Sequence, residues 1–268
     1  MADRLKICWV TDPHLEFLNR WDQQPFLDRL ARQAGDAFLI TGDIADSIQI
    51  GSVLDRLAQS VRKPVYFVLG NHDFYQGSVR ETNAAVDGQV AKHFNLDWLQ
   101  GREIIELGVT TALIGIGGWA DGLGGLGPET PRRVADFEYI NDLSTLANDY
   151  ERFSWMRNFA NRDAAQLKIV LEEAMAKYAK VIVATHVPPF EEAAWYEGTP
   201  SEPDYQPFFS SPTMGKMLLE AAREHPEQTV DVYCGHTHGK GIYTIANITV
   251  FTGDAEYREP KINGIIEL

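Results

Sequence analysis

Short hydrophobic runs alternate with segments of helical periodicity in the N-terminal part of the chain. The runs Leu5–Val10, Ala37–Ile40 and Val65–Leu69 have the length of buried strands, and a polar motif follows each of them. Between them, positions 26, 27, 30 and 34 and positions 50, 53, 54, 57 and 58 are apolar at helical spacing. Alternating strands and helices predict parallel βαβ units.

A second set of apolar runs predicts a second sheet that packs against the first. These runs are Ile104–Leu107, Thr110–Ile116, Val181–Ala184, Val230–Cys234, Ile242–Ile245 and Thr249–Phe251. An apolar stripe from Ala164 to Tyr178 predicts one further helix. We therefore expect the α/β class, as a four-layer α-β-β-α sandwich of two packed mixed sheets flanked by helices, in a single domain over residues 1–268.

Two long segments fall outside this pattern and predict elaborated loops, at about 117–150 and 187–212. The first begins with a glycine-rich run, which we interpret as a mobile loop at the rim of a site. The second is rich in proline and aromatic residues, which argue against disorder because they can pack onto the domain or contact a ligand.

Composition narrows the classes of partner. The chain has 268 residues, 44% of them hydrophobic, which is enough for a large core. Its net charge of −14 disfavours a long nucleic acid as ligand, because such binding needs Lys and Arg to neutralise successive phosphates. Cys8 and Cys234 lie in strand-like runs without metal or redox spacing, and we expect them to be buried free thiols.

The sequence predicts neither a secretory signal peptide nor a membrane span. The first residues, Met-Ala-Asp-Arg, do not open a signal peptide, and no apolar run approaches the roughly 18 residues that a membrane span requires. We expect a cytoplasmic protein that does not act on a membrane.

Five polar motifs follow predicted strands and contain the candidate chemistry. They are Asp12-Pro13-His14, Gly42-Asp43, Gly70-Asn71-His72-Asp73, Thr185-His186 and Gly235-His236-Thr237-His238. Ligands of open α/β sheets bind outside the carboxyl ends of the strands, so we expect the motifs to converge there. Side chains two apart in a strand point the same way, which predicts that Asp12 with His14, and His236 with His238, each face one side.

The donor types in these motifs indicate a pair of metal ions. Carboxylate, imidazole and amide ligands together suit manganese, iron or zinc. If Asp43 bridges, one ion is bound by Asp12, His14, Asp43 and His238, and the other by Asp43, Asn71, His186 and His236. Two such ions would clamp a phosphoryl group and hold the hydroxide that attacks phosphorus. His72 is then the natural general acid, with Asp46 or Asp73 near enough in sequence to orient its ring.

In these residues the chain resembles the calcineurin-like metallophosphoesterases. That family has the motifs D-x-H, G-D-x-x-D, G-N-H-[ED], a single H, and G-H-x-H, in that order, and this chain matches all five over most of its length. The resemblance implies the four-layer fold, the dinuclear site, the acid role of His72, and Asp46 rather than Asp73 as the residue that orients it.

Departures from particular branches of the family narrow the substrate. Serine/threonine phosphatases have Arg directly after G-D-x-x-D, where this chain has Ser47. The segment Thr185–Pro189 and the chain length look closest to the bacterial cyclic-nucleotide phosphodiesterase-like group. We expect hydrolysis of small, nucleotide-like phosphodiesters. A phosphomonoesterase or nucleotide pyrophosphatase on the same site, and a non-catalytic binding module of the same fold, remain the alternatives. His93 and His225 lie outside the motifs and are interpreted as structural.

Overall fold

The computed structural model describes residues 5–268. Residues 1–4, which we interpreted as lacking the start of a signal peptide, lie outside the described residues. The described chain forms two large mixed sheets, packed face to face, with helices on both outer faces. The predicted four-layer α/β sandwich is confirmed.

The first sheet has five strands in the order β13-β1-β2-β3-β4. Its strands are β1 (Lys6–Val10), β2 (Ala37–Thr41), β3 (Val65–Val68), β4 (Leu96–Trp98) and β13 (Gly264–Glu267). Strands β1 to β4 run parallel, and β13 pairs antiparallel with β1. The first three strands coincide closely with the predicted runs, whereas β4 and β13 are too short and too polar for their hydrophobic pattern to have predicted them.

The second sheet has six strands in the order β11-β12-β10-β7-β6-β5. Its strands are β5 (Ile105–Glu106), β6 (Thr111–Gly115), β7 (Lys180–Ala184), β10 (Thr229–Cys234), β11 (Gly241–Ile245) and β12 (Ile248–Thr252). The four inner strands are parallel, and β5 and β11 pair antiparallel at the edges. All six predicted runs became strands of this sheet.

Eight α-helices complete the fold of residues 5–268. They are α1 (Arg20–Arg32), α2 (Ile50–Val61), α3 (Val79–Val90), α4 (Asp136–Tyr139), α5 (Asn141–Ser144), α6 (Asp149–Lys177), α7 (Gln206–Phe209) and α8 (Pro212–Glu224). Helices α1 to α3 cover the first sheet, and α6 and α8 cover the second. Among residues 5–268, no helix combines the length and the apolarity needed to cross a lipid bilayer.

Both faces of the inner strands are buried. In β1, Cys8 and Val10 pack toward the helices, whereas Ile7 and Trp9 pack between the two sheets. Trp9 meets Tyr233 of the second sheet edge-on, with ring centroids 5.0 Å apart. This two-sided burial is why the strands appear in the sequence as continuous apolar runs. Both cysteines are buried and free, as predicted.

The two elaborated segments are packed against the domain. In the glycine-rich run, Trp119 and Asp121 are buried, and Asp121 Oδ2 accepts the backbone N–H of Thr213 in α8 at 2.7 Å. The first part of this run is thus packed into the domain, whereas Leu123 and Leu126 are exposed, and its interpretation as a mobile rim loop stays a prediction. Residues 187–212 form a small hairpin of β8 (Trp195–Tyr196) and β9 (Thr199–Pro200), followed by α7. Their aromatic side chains include the buried Phe190 and Phe208.

Candidate metal centre

The five polar motifs meet at one edge of the sandwich. Asp12 and His14 follow β1, Asp43 follows β2, and Asn71 follows β3. In the second sheet the motifs with His186 and His236 follow β7 and β10. Because all five strands are parallel and both sheets present their carboxyl ends to the same edge, residues more than 200 positions apart, such as His14 and His238, have their ring nitrogens 3.0 Å apart.

We had expected the motif residues to continue the strands. Instead, several of them adopt left-handed backbone conformations. The φ angles are 46° at Asp12, 43° at His14, 52° at Asp43, 73° at His236 and 58° at His238. Such values are uncommon for residues other than glycine, and they cluster at functional sites where surrounding contacts offset the strain. The side chains therefore converge because of these turns, not because of the alternation of a strand.

Two glycines of the motifs are needed for close approach. A Cβ atom at Gly70 would overlap the carboxylate of Asp43 and the ring of His186, and one at Gly235 would overlap the carboxylate of Asp12. The glycines that precede Asn71 and His236 thus let the loops come together around the carboxylates.

The first group of donor atoms comprises Asp12, His14, Asp43 and His238, whose donor atoms all lie within 4.8 Å of one another. His14 Nε2 lies 3.0 Å from His238 Nε2 and 3.7 Å from Asp43 Oδ2, and His238 Nε2 lies 3.7 Å from Asp12 Oδ1. The side chains of Asp12 and His14 are fully buried.

The second group comprises Asp43, His186 and His236, joined by the amide oxygen of Asn71. His186 Nε2 lies 3.4 Å from Asp43 Oδ1 and 3.1 Å from Asn71 Oδ1. His236 Nδ1 lies 3.0 Å from Asn71 Oδ1 and 3.1 Å from His186 Nε2. Asp43 thus turns one oxygen to each group, which is the arrangement of a bridging carboxylate.

The spacing of these atoms fits metal coordination. Two ligands at about 2.1 Å from one ion are separated by about 3.0 to 3.4 Å at octahedral or tetrahedral angles. The closest nitrogen and oxygen atoms of both groups lie 3.0 to 3.7 Å apart, and neighbouring histidine nitrogens such as His14 Nε2 and His238 Nε2 approach to 3.0 Å. The chemistry of the donors and their spacing therefore fit metal ions.

The electrostatics of the centre also favour a cation. Burial works against ionisation of Asp43, but the neighbouring histidines outweigh it and hold the pKa of Asp43 well below its usual value. Burial lowers the pKa of His186, yet the charge of Asp43 overcomes this effect and raises it to about 10. Burial and the charge of His186 lower the pKa of His236 to about 3. The proton on His186 thus sits where a cation would, and metal binding would release it.

Groups behind the donors hold them in place. His186 Nδ1 lies 2.9 Å from the carbonyl oxygen of Thr41, and His236 Nε2 lies 2.8 Å from that of Phe208. Asn71 donates from Nδ2 to Asp136 Oδ1 at 2.8 Å, which turns its Oδ1 toward the histidines. Sequence reasoning missed Asp136 and the Phe208 carbonyl, because both come from the elaborated segments and belong to no motif.

We had expected Asp46 to lie against His72, but in the structure it contacts other groups. Asp46 Oδ1 accepts the N–H of Gln49 at the start of α2, and Oδ2 accepts from Gln76 Nε2 at 3.0 Å. Asp73, the other candidate, accepts four backbone N–H groups from residues 43, 44, 45 and 70 and thereby ties two loops together. Both carboxylates are buried; Asp73 accepts only from backbone N–H groups, and Asp46 accepts from one backbone N–H and one side-chain amide.

Glu16 lies beside His72 instead. Its Oε1 is 3.5 Å from His72 Nδ1 and 3.0 Å from His14 Nδ1. Burial lowers the pKa of His72, but Asp43 and Glu16 outweigh it and raise the pKa to about 9. Sequence reasoning missed Glu16, although its position two residues after His14 was a signal that could have been followed.

A cavity of about 320 Å³ opens over the donors. Besides the motif residues, its walls are formed by Tyr75, Val134, Ala135, Asp136, Tyr196, Phe208, Phe209 and Tyr257. Within residues 5–268, no lysine or arginine lines it. The cavity therefore has aromatic walls, and positive charge at its floor can come only from the histidines or from bound ions.

Comparison with solved structures finds the same fold. The phosphopantetheinyl hydrolase PptH from Mycobacterium tuberculosis is 13% identical with a TM-score of 0.68, over 100% of this chain and 97% of that one. A Thermus thermophilus protein, TT1561, is 13% identical with a TM-score of 0.52, over 94% and 89%. A putative 5′-nucleotidase from Staphylococcus aureus is 13% identical with a TM-score of 0.54, over 94% of this chain and 49% of that one.

None of the curated protein sequences is significantly similar to this chain. The sequence profile of the calcineurin-like phosphoesterases, in contrast, matches residues 5–240, a range that includes every motif of the candidate centre. The match covers most of the chain, and by fold, motif order and donor geometry the protein belongs to the calcineurin-like phosphoesterase family.

Proposed function

We propose that this protein hydrolyses small phosphodiesters at two metal ions, of manganese, iron or zinc. Asp12, His14, Asp43 and His238 would hold one ion, and Asp43, Asn71, His186 and His236 the other. When bound, such a pair polarises a phosphoryl group and lowers the pKa of coordinated water. The observation that carries the proposal is the pair of donor groups that share Asp43 at the floor of an aromatic cavity.

In this proposal His72 supplies the proton that the leaving oxygen needs. His72 lines the cavity next to the donors, and its Nδ1 lies toward Glu16, which leaves Nε2 as the nitrogen available to substrate. Tyr75 stacks on the ring of His72 with centroids 4.1 Å apart and fixes its plane. Such a donor matters most when the leaving group is a poor one.

The cavity wall favours a diester over a monoester. A phosphomonoester carries a charge of about −1.5 to −2 at neutral pH, whereas a diester carries only one. No lysine or arginine of the described chain lines the cavity, and Asp136 adds a negative charge to its wall when ionised. A diester also has a second organic arm, for which Tyr196, Phe209 and Tyr257 offer apolar and aromatic surface.

The test is hydrolysis of bis-p-nitrophenyl phosphate against p-nitrophenyl phosphate after reconstitution with manganese. We expect the diester to be preferred and Asp43→Asn to be inactive. Preference for the monoester would favour a phosphomonoesterase or nucleotide pyrophosphatase. Full activity of Asp43→Asn would contradict the assignment of the bridge. Bound metal without hydrolysis of either substrate would favour a binding module.

A further inference from the structure

The carboxylate of Glu16 touches two imidazole rings of the centre at once. Glu16 lies in the 3-10 turn Leu15–Phe17, directly after His14, and its side chain is only 8% exposed. Its Oε1 is 3.0 Å from His14 Nδ1 and 3.5 Å from His72 Nδ1. The rings of His14 and His72 are nearly perpendicular, with centroids 4.6 Å apart, so that both can direct Nδ1 at one carboxylate.

The contact with His14 is made at the ring nitrogen that points away from the donor group, which is where a residue that orients a metal-ligating histidine binds. Nε2 of His14 belongs to the first donor group, and Nδ1 is therefore the nitrogen that bears the proton and donates it to Glu16. A carboxylate in this position fixes the tautomer and the plane of a ligating ring. His72 also turns Nδ1 toward the carboxylate, at the longer distance of 3.5 Å, and Nε2 is left for the substrate.

Neither of the other carboxylates near His72 in the sequence is available for this task. Asp46 is engaged by Gln49 and Gln76, and Asp73 by four backbone N–H groups. Glu16 has unused capacity, because its Oε2 is buried and has no hydrogen-bond partner among the described residues. His72 Nδ1 is likewise buried without a partner within normal hydrogen-bond geometry. The two unpartnered atoms belong to neighbouring side chains.

We propose that Glu16 is the positioning residue of this centre, and that its one carboxylate orients both the ligand His14 and the proton donor His72. The inference rests on the proposed function and assigns to Glu16 the task that the family resemblance implied for Asp46. Because one carboxylate contacts both rings, an ion bound by His14 also fixes the position of the His72 ring. Proton donation is thereby coupled to occupancy of the first donor group.

The experiment compares Glu16→Gln, Glu16→Ala and Asp46→Asn with the unchanged chain. Glutamine replaces one carboxylate oxygen with NH2 and leaves a single neutral acceptor oxygen for the Nδ1–H groups of His14 and His72, whereas alanine removes both contacts. Glu224→Gln, at the exposed end of α8, is the matched control for the loss of one carboxylate.

The first measurement is turnover of two aryl phosphodiesters that release p-nitrophenol or phenol. We expect Glu16→Gln to lose about 10- to 100-fold with phenol as leaving group and far less with p-nitrophenol, because a misplaced proton donor is felt most by the poorer leaving group. Asp46→Asn should change both substrates by the same factor. A selective loss in Asp46→Asn together with none in Glu16→Gln would overturn the proposal.

The second measurement does not depend on activity. Nitrogen-15 NMR of the histidine rings in the zinc-loaded protein should show altered Nδ1 signals of His14 and His72 in Glu16→Gln and unaltered ones in Glu224→Gln. Zinc affinity should fall by about 10- to 100-fold in Glu16→Ala. Unchanged ring signals and unchanged affinity would refute the positioning role even if the chain hydrolysed no diester.

Discussion

The two donor groups of the centre are supported in different ways. Behind the first group stands a side chain, since His14 is oriented by the carboxylate of Glu16 from the same loop. Behind the two histidines of the second group stand main-chain carbonyls, of Thr41 for His186 and of Phe208 for His236, and only Asn71 is held by a side chain, that of Asp136. Support by a side chain can be removed by one substitution, whereas support by a carbonyl is lost only when the backbone moves.

The two groups also differ in how far their supports are spread along the chain. Glu16 is a near neighbour of the ligand that it orients, whereas Phe208 and Asp136 belong to the two elaborated segments. The second group therefore depends on the packing of residues 117–150 and 187–212 onto the domain through the groups that hold its ligands. We therefore expect that substitutions can weaken metal binding at one group without weakening it at the other.

The largest effect is expected at the residue that both groups share. Asp43→Asn removes the bridging charge, and we expect hydrolysis to fall by more than about 100-fold, since the loss of metal costs several kcal/mol of transition-state stabilisation. Unchanged protein should melt at a higher temperature in manganese, with about 2.7 kcal/mol of stabilisation at 100 times the dissociation constant. Melting of Asp43→Asn should not respond to manganese, and an undiminished response would refute the shared bridge.

Removal of one ligand from each group should separate the two ions. His186→Ala should abolish binding at the second group and leave the first filled, and His238→Ala should do the reverse. Zinc content measured by mass spectrometry after dialysis should fall from two ions toward one in each variant. Loss of both ions in either variant would mean that the groups are not independent.

A weaker effect is expected from Asp136→Ala, which removes the acceptor of Asn71 Nδ2 and of the Tyr75 hydroxyl. The freed amide of Asn71 can rotate, and zinc affinity of the second group should fall by about 10- to 100-fold, with the first group unaffected. Competition with a chelator measures both sites. Tyr75→Phe removes only the hydroxyl contact and should leave both zinc affinities near their original values. A loss of zinc affinity as large as that in Asp136→Ala would show that the contact with Tyr75, and not that with Asn71, is the important one.

The smallest effect should come from a shift of the loop that carries the Phe208 carbonyl. Gly125 has φ of 51°, and a Cβ there would overlap the carbonyl of Pro203. Gly125→Ala should therefore displace this segment and weaken zinc binding at the second group by about 2- to 10-fold, in line with 1–3 kcal/mol of local strain shared between loop and site.

The matched control for that substitution is Gly88→Ala in α3, where an added Cβ meets nothing within 4 Å. It should stabilise the protein by about 0.5–1 kcal/mol, measured by urea unfolding, because alanine is the better helix residue. Equal zinc affinities in the two variants would show that the loop does not support the second group.

Much of the fold and of the centre follows from local pattern. Nine apolar runs became strands, since strands buried on both faces need continuous hydrophobic residues. The short edge strands β4 and β13 and the helix α3 were not predicted, because the strands have few apolar residues and α3 has a weak apolar stripe. Helix α8 was missed although its buried positions 214, 217, 218, 221 and 222 have helical spacing. The helix predicted from Ala164 in fact begins at Asp149, where Asn148 caps it by accepting from Glu151 N–H.

The sequence by itself determined which donors exist and on which edge they meet, because motifs that follow parallel strands emerge at the same end of a sheet. Only the tertiary structure decided which groups bind and orient each donor side chain. Glu16 rather than Asp46 faces His72 because the loop after β1 folds over the loop after β3, while Asp46 is held at the start of α2. Backbone carbonyls such as those of Thr41 and Phe208 carry no residue signature, and only the packed chain brings them to the histidines.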